Sequence, residues 1–172
     1  MKFFKKILLV LLLAFIVIQF FRPAKNIAAG PEAYAKDIST IHAVPADVQT
    51  ILKKACNDCH SNNTVYPWYN NIQPVAWWLA NHVKEGKREL NFSEFANYSP
   101  RRQYIKLDEV NKLVKNGEMP LSSYTWIHKD AKLTDAEKLT IANWVTTIRD
   151  SMAAIYPKDS LERRRPAAPK QE

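Results

Sequence analysis

Cys56-Asn57-Asp58-Cys59-His60 decides the reading of this chain. Its two cysteines are the only ones among 172 residues, and a histidine follows them directly. That run is the attachment pattern for c-type haem. Chemistry explains the spacing. Two cysteines on one helical turn can each add a thiol across a haem vinyl group, and the next histidine turns its imidazole to the iron. The competing readings of the pair are weaker. A thioredoxin-type redox pair sits in an α/β pattern, and no stretch here reads as a strand. A zinc site needs two further nitrogen or sulfur ligands, yet His42, His82 and His128 form no closely spaced pair. A disulfide across so short a loop removes little chain entropy.

Upstream, Met1–Arg22 reads as a membrane signal. Lys2, Lys5 and Lys6 precede an apolar run, Ile7–Phe21, interrupted by Gln19. The run suits a signal-peptide core. With Phe3 and Phe4 added and the lysines snorkelling, Phe3–Phe21 reaches about 28 Å as a helix, close to a bilayer core. Ala33-Tyr34-Ala35 has the small-x-small form of a cleavage site but lies far past the run, so an uncleaved anchor is expected. The early lysines place the N-terminus in the cytoplasm. The rest of the chain is then exported, where haem c is attached in bacteria.

The net charge of +8 invites a nucleic-acid reading, but its distribution argues against one. Residues 1–25 carry +5 and residues 158–172 carry +2, which leaves +1 for residues 26–157. A nucleic-acid binder concentrates basic groups on its folded body.

The expected organisation is a membrane helix over 1–22, a linker over 23–44, a haem-binding domain over 45–157 and a disordered tail over 158–172. Within the domain the spacing predicts helices throughout. One starts at Pro45 and runs into Cys56, with Val48, Ile51, Leu52 and Ala55 on one face. A second spans Pro74–Lys87, with Gly86 near its end. Asn91-Phe92-Ser93-Glu94 has capping-box form and suggests a short turn of helix. Ser99 and Pro100 open a third long helix, striped by Tyr104, Leu107, Val110, Leu113 and Val114 and ended by Gly117. Thr134-Asp135-Ala136-Glu137 is a capping box for the last.

His60 is the expected proximal ligand. Met119 is the leading candidate for the sixth position, because it sits between the glycine that ends a helix and Pro120, which stiffens the loop. A thioether is a soft ligand that raises the potential of a histidine-ligated haem. The bland alternative is a core methionine against aromatics. His82 and His128 are the rival ligands. Arg101, Arg102, Tyr98, Tyr124 and the tryptophan N–H groups are available to haem propionates. All five tryptophans lie between Trp68 and Trp144 and are expected mainly in the core.

The order of parts resembles class I cytochrome c: a helix entering Cys-x-x-Cys-His, a methionine in a loop 59 residues after His60, and a capped closing helix. More specifically, the stretch from Cys56 to about Trp144 resembles the bacterial haem-binding domain family of membrane-tethered proteins in Bacteroidetes-type bacteria. The resemblance is carried by Cys56–Asn62, Tyr66-Pro67-Trp68-Tyr69, Pro74 to Trp78, His82, Glu85-Gly86, Leu90–Glu94, Gly117–Leu121 and His128. It implies a cytochrome c-like domain whose segment from Tyr66 to Tyr98 is elaborated relative to a small cytochrome c.

These readings converge on an all-α, class I cytochrome c-like domain around one covalently attached haem c, preceded by an N-terminal membrane helix. Cys56 and Cys59 hold the haem, and His60 and Met119 ligate its iron. The expected role is one-electron transfer with redox partner proteins, without enzymatic bond-making, on a single-pass inner-membrane protein facing the periplasm. A haem-based sensor and, behind it, a peroxidase-like enzyme are the alternatives.

Overall fold

The computed structural model describes residues 1–162, and all regular structure in them is helical. The helices are α1 (Lys2–Ile18), α2 (Ala46–Ala55), α3 (Asn57–His60), α4 (Val75–Glu89), α5 (Pro100–Lys115), α6 (Ser122–Ile127), α7 (Asp135–Ile155) and α8 (Lys158–Leu161). Short 3-10 turns join them.

The long helix α7 carries the core. It packs against α2 and α5, while α8 returns onto α5 and the short α3 lies on α4. Its start is the expected capping box: the Thr134 hydroxyl accepts from the Glu137 N–H, and the Glu137 carboxylate accepts from the Thr134 N–H. All four residues of the α2 stripe are buried. Phe95, Leu107, Ile141 and Val145 form the dry centre. Lys54 of α2 pairs with Glu137 of α7 at 2.5 Å across this layer.

The chain departs from its pattern in four places. The helix entering the cysteines breaks at Cys56, whose φ of −128° caps α2 and starts α3. Residues 23–44 do not hang free as a linker. Ile38 is buried in the core, Lys36 O accepts from Ala96 N–H, and Asn26 O accepts from Thr64 N–H. The start of the expected disordered tail is also structured. α8 drives Leu161 into the core beside α5, while residues 163–172 lie outside those described. Finally, α1 stops at Ile18, where the backbone bonds pass to three-residue spacing (Gln19, Phe20 and Phe21 N–H onto Ile16, Val17 and Ile18) and the Gln19 side chain meets Gln73. Its 17 residues measure about 25 Å, and no helix among those described is long and apolar enough to cross a membrane. None of its residues is buried by the protein.

The tryptophans also depart from expectation. Trp144 alone is buried, with its indole N–H donating to the Ala43 carbonyl at 3.0 Å. Trp68 and Trp126 are about three-quarters exposed, and Trp77 and Trp78 nearly half. The core is filled by aliphatic side chains and phenylalanine, which bring no N–H that needs a partner.

Candidate functional site

α3 is a single turn, so its side chains are fixed by what braces it. His60 N–H donates to the Cys56 carbonyl at 2.9 Å. The Asn57 carbonyl accepts from the Ser61 hydroxyl at 2.7 Å. Asp58 ties the turn to two distant segments: Oδ1 accepts from Val65 N–H at 3.0 Å and Oδ2 from the Tyr124 hydroxyl at 2.7 Å. Burial and the Asp58 carboxylate push the Tyr124 phenol far above its ordinary range, so it stays a donor.

The packing of α3 on α4 depends on Gly86. A Cβ there would lie 2.6 Å from the Cys59 carbonyl oxygen and 3.0 Å from Cys59 Cβ. Gly86 therefore lies inside α4, which continues to Glu89, and serves close approach rather than ending the helix. This approach sets the histidine. His60 Nδ1–H donates to the Leu90 carbonyl, just past α4, at 2.9 Å. That bond fixes the tautomer and leaves Nε2 as the ring nitrogen with a free lone pair. Burial lowers the His60 pKa, outweighing the carbonyls of Leu90 and Gly86, so the ring is neutral and able to ligate.

The two cysteines are free thiols. Burial pushes Cys56 up to about 12 and Cys59 up to about 11, with Cys59 adding to the first and the Asp58 carboxylate to the second. Both remain protonated at neutral pH.

Met119 reaches the same place by a different device. Gly117 takes a φ of +73° and closes α5 in a left-handed turn. The N–H groups of Glu118 and Met119 then both donate to the Leu113 carbonyl, at 2.9 and 3.1 Å. Two adjoining cavities of about 240 and 170 Å³ share Ala55, Cys56, His60, Glu89 and Met119 in their walls. One adds Cys59, Pro120, Leu121 and Tyr124 with the polar Asp58, Asn81, His82 and Glu85, and the other adds Leu90, Phe92, Val110, Leu113 and Val114 with Lys106 and Glu109. Two thiols, an oriented neutral imidazole and a thioether thus converge on one slot with largely apolar walls. This donor set fits a covalently held haem. A separate cleft of about 810 Å³ beside α7 shares no residue with that slot.

Among the rivals, His82 lines the slot, its ring tilted against Trp78 and its Nδ1–H on the Trp78 carbonyl at 2.9 Å. His128 does not. Its ring stacks on Tyr124 at 4.3 Å, and its Nε2 is hydrogen-bonded to the Tyr69 hydroxyl at 2.7 Å. Of the expected propionate donors only Tyr124 lines the slot. Arg101 donates to the Asp159 carbonyl, and Arg102 covers the Tyr98 ring. The positive group at the slot is Lys106, bound to Glu89 and Glu109 at 3.2 and 2.8 Å. Sequence reading did not pick out Leu90 as the histidine's partner, Asp58 as the brace, or Lys106. The capping-box form after Leu90 and the resemblance over Cys56–Asn62 and Leu90–Glu94 pointed to the region without giving these roles.

The haem-binding domain family matches residues 13–147, most of the chain. The chain belongs to that family. Neither a curated protein nor a solved structure matches it. Within the haem-binding domain, Cys56, Cys59, His60 and Met119 are the residues that could hold the cofactor, and the match includes all four. It also takes in the last third of α1 and the segment beyond it, in keeping with residues 23–44 packing on the domain.

Proposed function

We propose that this haem-binding domain carries one haem c, covalently attached through Cys56 and Cys59, and acts as a cytochrome c-like one-electron carrier. The observation that carries the reading is the convergence of both thiols, His60 and Met119 on a single slot. When bound, haem supplies a Fe(III)/Fe(II) couple, whose potential depends on axial ligands and burial. The chain's own contribution is positional. Leu90 O holds His60 in the ligating tautomer, the Asp58–Tyr124 bond keeps α3 from turning, and the Gly117 turn presents the Met119 thioether. The apolar walls would limit water at the cofactor, and Lys106, already paired with Glu89 and Glu109, is the basic side chain that borders them.

We further read α1, apolar from Ile7 onward and with no residue buried by the protein, as a membrane tether. The domain then faces the compartment where haem c is attached, the periplasm, and its partners are redox proteins.

The test is direct. The matured protein is denatured and extracted with acid acetone. Haem that stays with the polypeptide in the wild type and leaves with the solvent in Cys56→Ser/Cys59→Ser supports attachment. Wild-type protein that releases its haem, or holds none, refutes it.

A further inference from the structure

α1 is clamped to the domain at its exit. Gln73 N–H donates to Gln19 Oε1 at 2.9 Å, and the Phe21 carbonyl accepts from Gln73 Nε2 at 2.7 Å and from the Trp77 indole at 2.9 Å. Farther on, Asn26 Oδ1 accepts from the Lys87 ammonium at 2.6 Å, and Asn26 N–H donates to the Tyr66 hydroxyl at 2.7 Å. The exit segment therefore runs along α4 from Trp77 to Lys87. Those ten residues of helix cover about 15 Å, and the five steps from Phe21 to Asn26 reach about 17 Å when extended. The two lengths agree.

The flank of α4 beside this segment is graded. Trp77, Ala80, Lys84 and Lys87 recur at helical spacing and share a face. At its start, Trp77 and Trp78 are exposed beside Phe20 and Phe21, which are 82% and 63% exposed. Toward its end, Lys25, Lys84 and Lys87 line a cleft of about 340 Å³ with Ala24, Asn26, Tyr66, Ala80 and Val83, and no carboxylate lines it among the described residues. Along the exit the order is apolar helix, aromatic rings, then lysines. A bilayer presents the matching order of hydrocarbon, interface and phosphate, and amphipathic indoles favour the middle layer.

We propose that the first turn of α4 and this flank form a membrane seat, with Trp77 and Trp78 in the lipid interface at one depth and Lys25, Lys84 and Lys87 holding the phosphate of an anionic phospholipid. The proposal rests on the reading of α1 as embedded in lipid. The dimensions favour it. Lys5 and Lys6 bound the apolar part of α1, and its residues 7–18 span about 18 Å against roughly 30 Å of hydrocarbon. The short helix draws the clamped junction down onto the surface. The seat also reaches the haem slot, because His82, which lines the slot, packs against Trp78 with ring centres 4.2 Å apart. The slot is thereby held at a set height above the lipid.

The experiment uses the full-length haem protein, reduced, labelled with fluorotryptophan and reconstituted in nanodiscs of phosphatidylcholine with increasing phosphatidylglycerol. Fluorine lines are assigned by Trp→Phe variants. We expect a nitroxide on the lipid chains to broaden the Trp77 and Trp78 lines and spare Trp144, while an aqueous gadolinium chelate leaves Trp77 and Trp78 unaffected. Lys84→Gln, an exposed side chain, is expected to raise the phosphatidylglycerol needed for the half-maximal shift of those lines roughly fivefold. Protein that travels with the discs but keeps Trp77 and Trp78 open to the aqueous chelate overturns the seat alone. Protein that elutes apart from the discs overturns the tether, and the seat with it. Neither result touches haem attachment, which is read from the extraction.

Discussion

Gly86→Ala is the sharpest test of how α3 and α4 build the site. Ordinarily alanine at a helix-interior glycine stabilises by roughly 0.5–1 kcal/mol. Here the new Cβ would sit 2.6 Å from the Cys59 carbonyl oxygen, where ordinary contact begins near 3.4 Å. The obstacle is backbone and cannot rotate away, so α3 must retreat by about 0.8 Å, the difference of those distances. Overpacking of this kind costs roughly 1–3 kcal/mol. The retreat also stretches the 2.9 Å bond from His60 to the Leu90 carbonyl, which is worth about 1 kcal/mol. Net of the propensity gain, we expect destabilisation of about 1–3 kcal/mol, a drop in melting temperature of roughly 2–10 °C. The assay is thermal unfolding followed by circular dichroism, on apoprotein and haem-loaded protein separately, since bound cofactor raises apparent stability. Haem content per polypeptide should fall in the variant as well. A Gly86→Ala protein that melts at or above wild type with full haem content would refute the close-packing account.

Other outcomes follow from the same structure. Met119→Ala should lose the thioether-to-iron absorption band and bind carbon monoxide rapidly when reduced; an unchanged spectrum would pass the sixth position to His82, which lines the same slot. Leu161→Ala should cost about 2 kcal/mol or more in urea unfolding, because Leu161 is 2% exposed against α5; no change would return residues 158–162 to the tail. Burial holds the His42 imidazole below its ordinary 6.5, opposed by Gln103. The unfolded chain therefore binds a proton that the folded chain refuses, and stability present above pH 6.5 is lost as the pH falls below it. His42→Gln should flatten that part of the urea midpoint profile relative to wild type, and an unchanged profile would assign the dependence elsewhere.

Local signals were legible where a short stretch determines its own conformation. The α2 stripe, the Ser99-Pro100 start of α5, the Gly117 end and the Thr134 capping box all stand as their residues imply. Each depends on neighbours within a turn or two, so the chain order contains the whole interaction. Gly86 illustrates the limit. In sequence it reads as a helix end, and in the fold it is the contact point of two helices. The tryptophans illustrate it again, since a ring's preference for burial does not say whether it faces protein or another apolar phase.

The sequence alone determined the helical class, the two thiols and histidine at their fixed spacing, and Met119 on a glycine-ended loop, because these are properties of contiguous residues. Tertiary structure alone decided that Leu90 orients His60, that Asp58 and Tyr124 brace the cysteine turn, that His82 borders the slot while His128 does not, and that residues 23–44 and Leu161 belong to the folded body. Those relations join segments 30 to 66 residues apart or more. They exist only once packing on α4, α5 and α7 has offset the entropy of bringing such segments together.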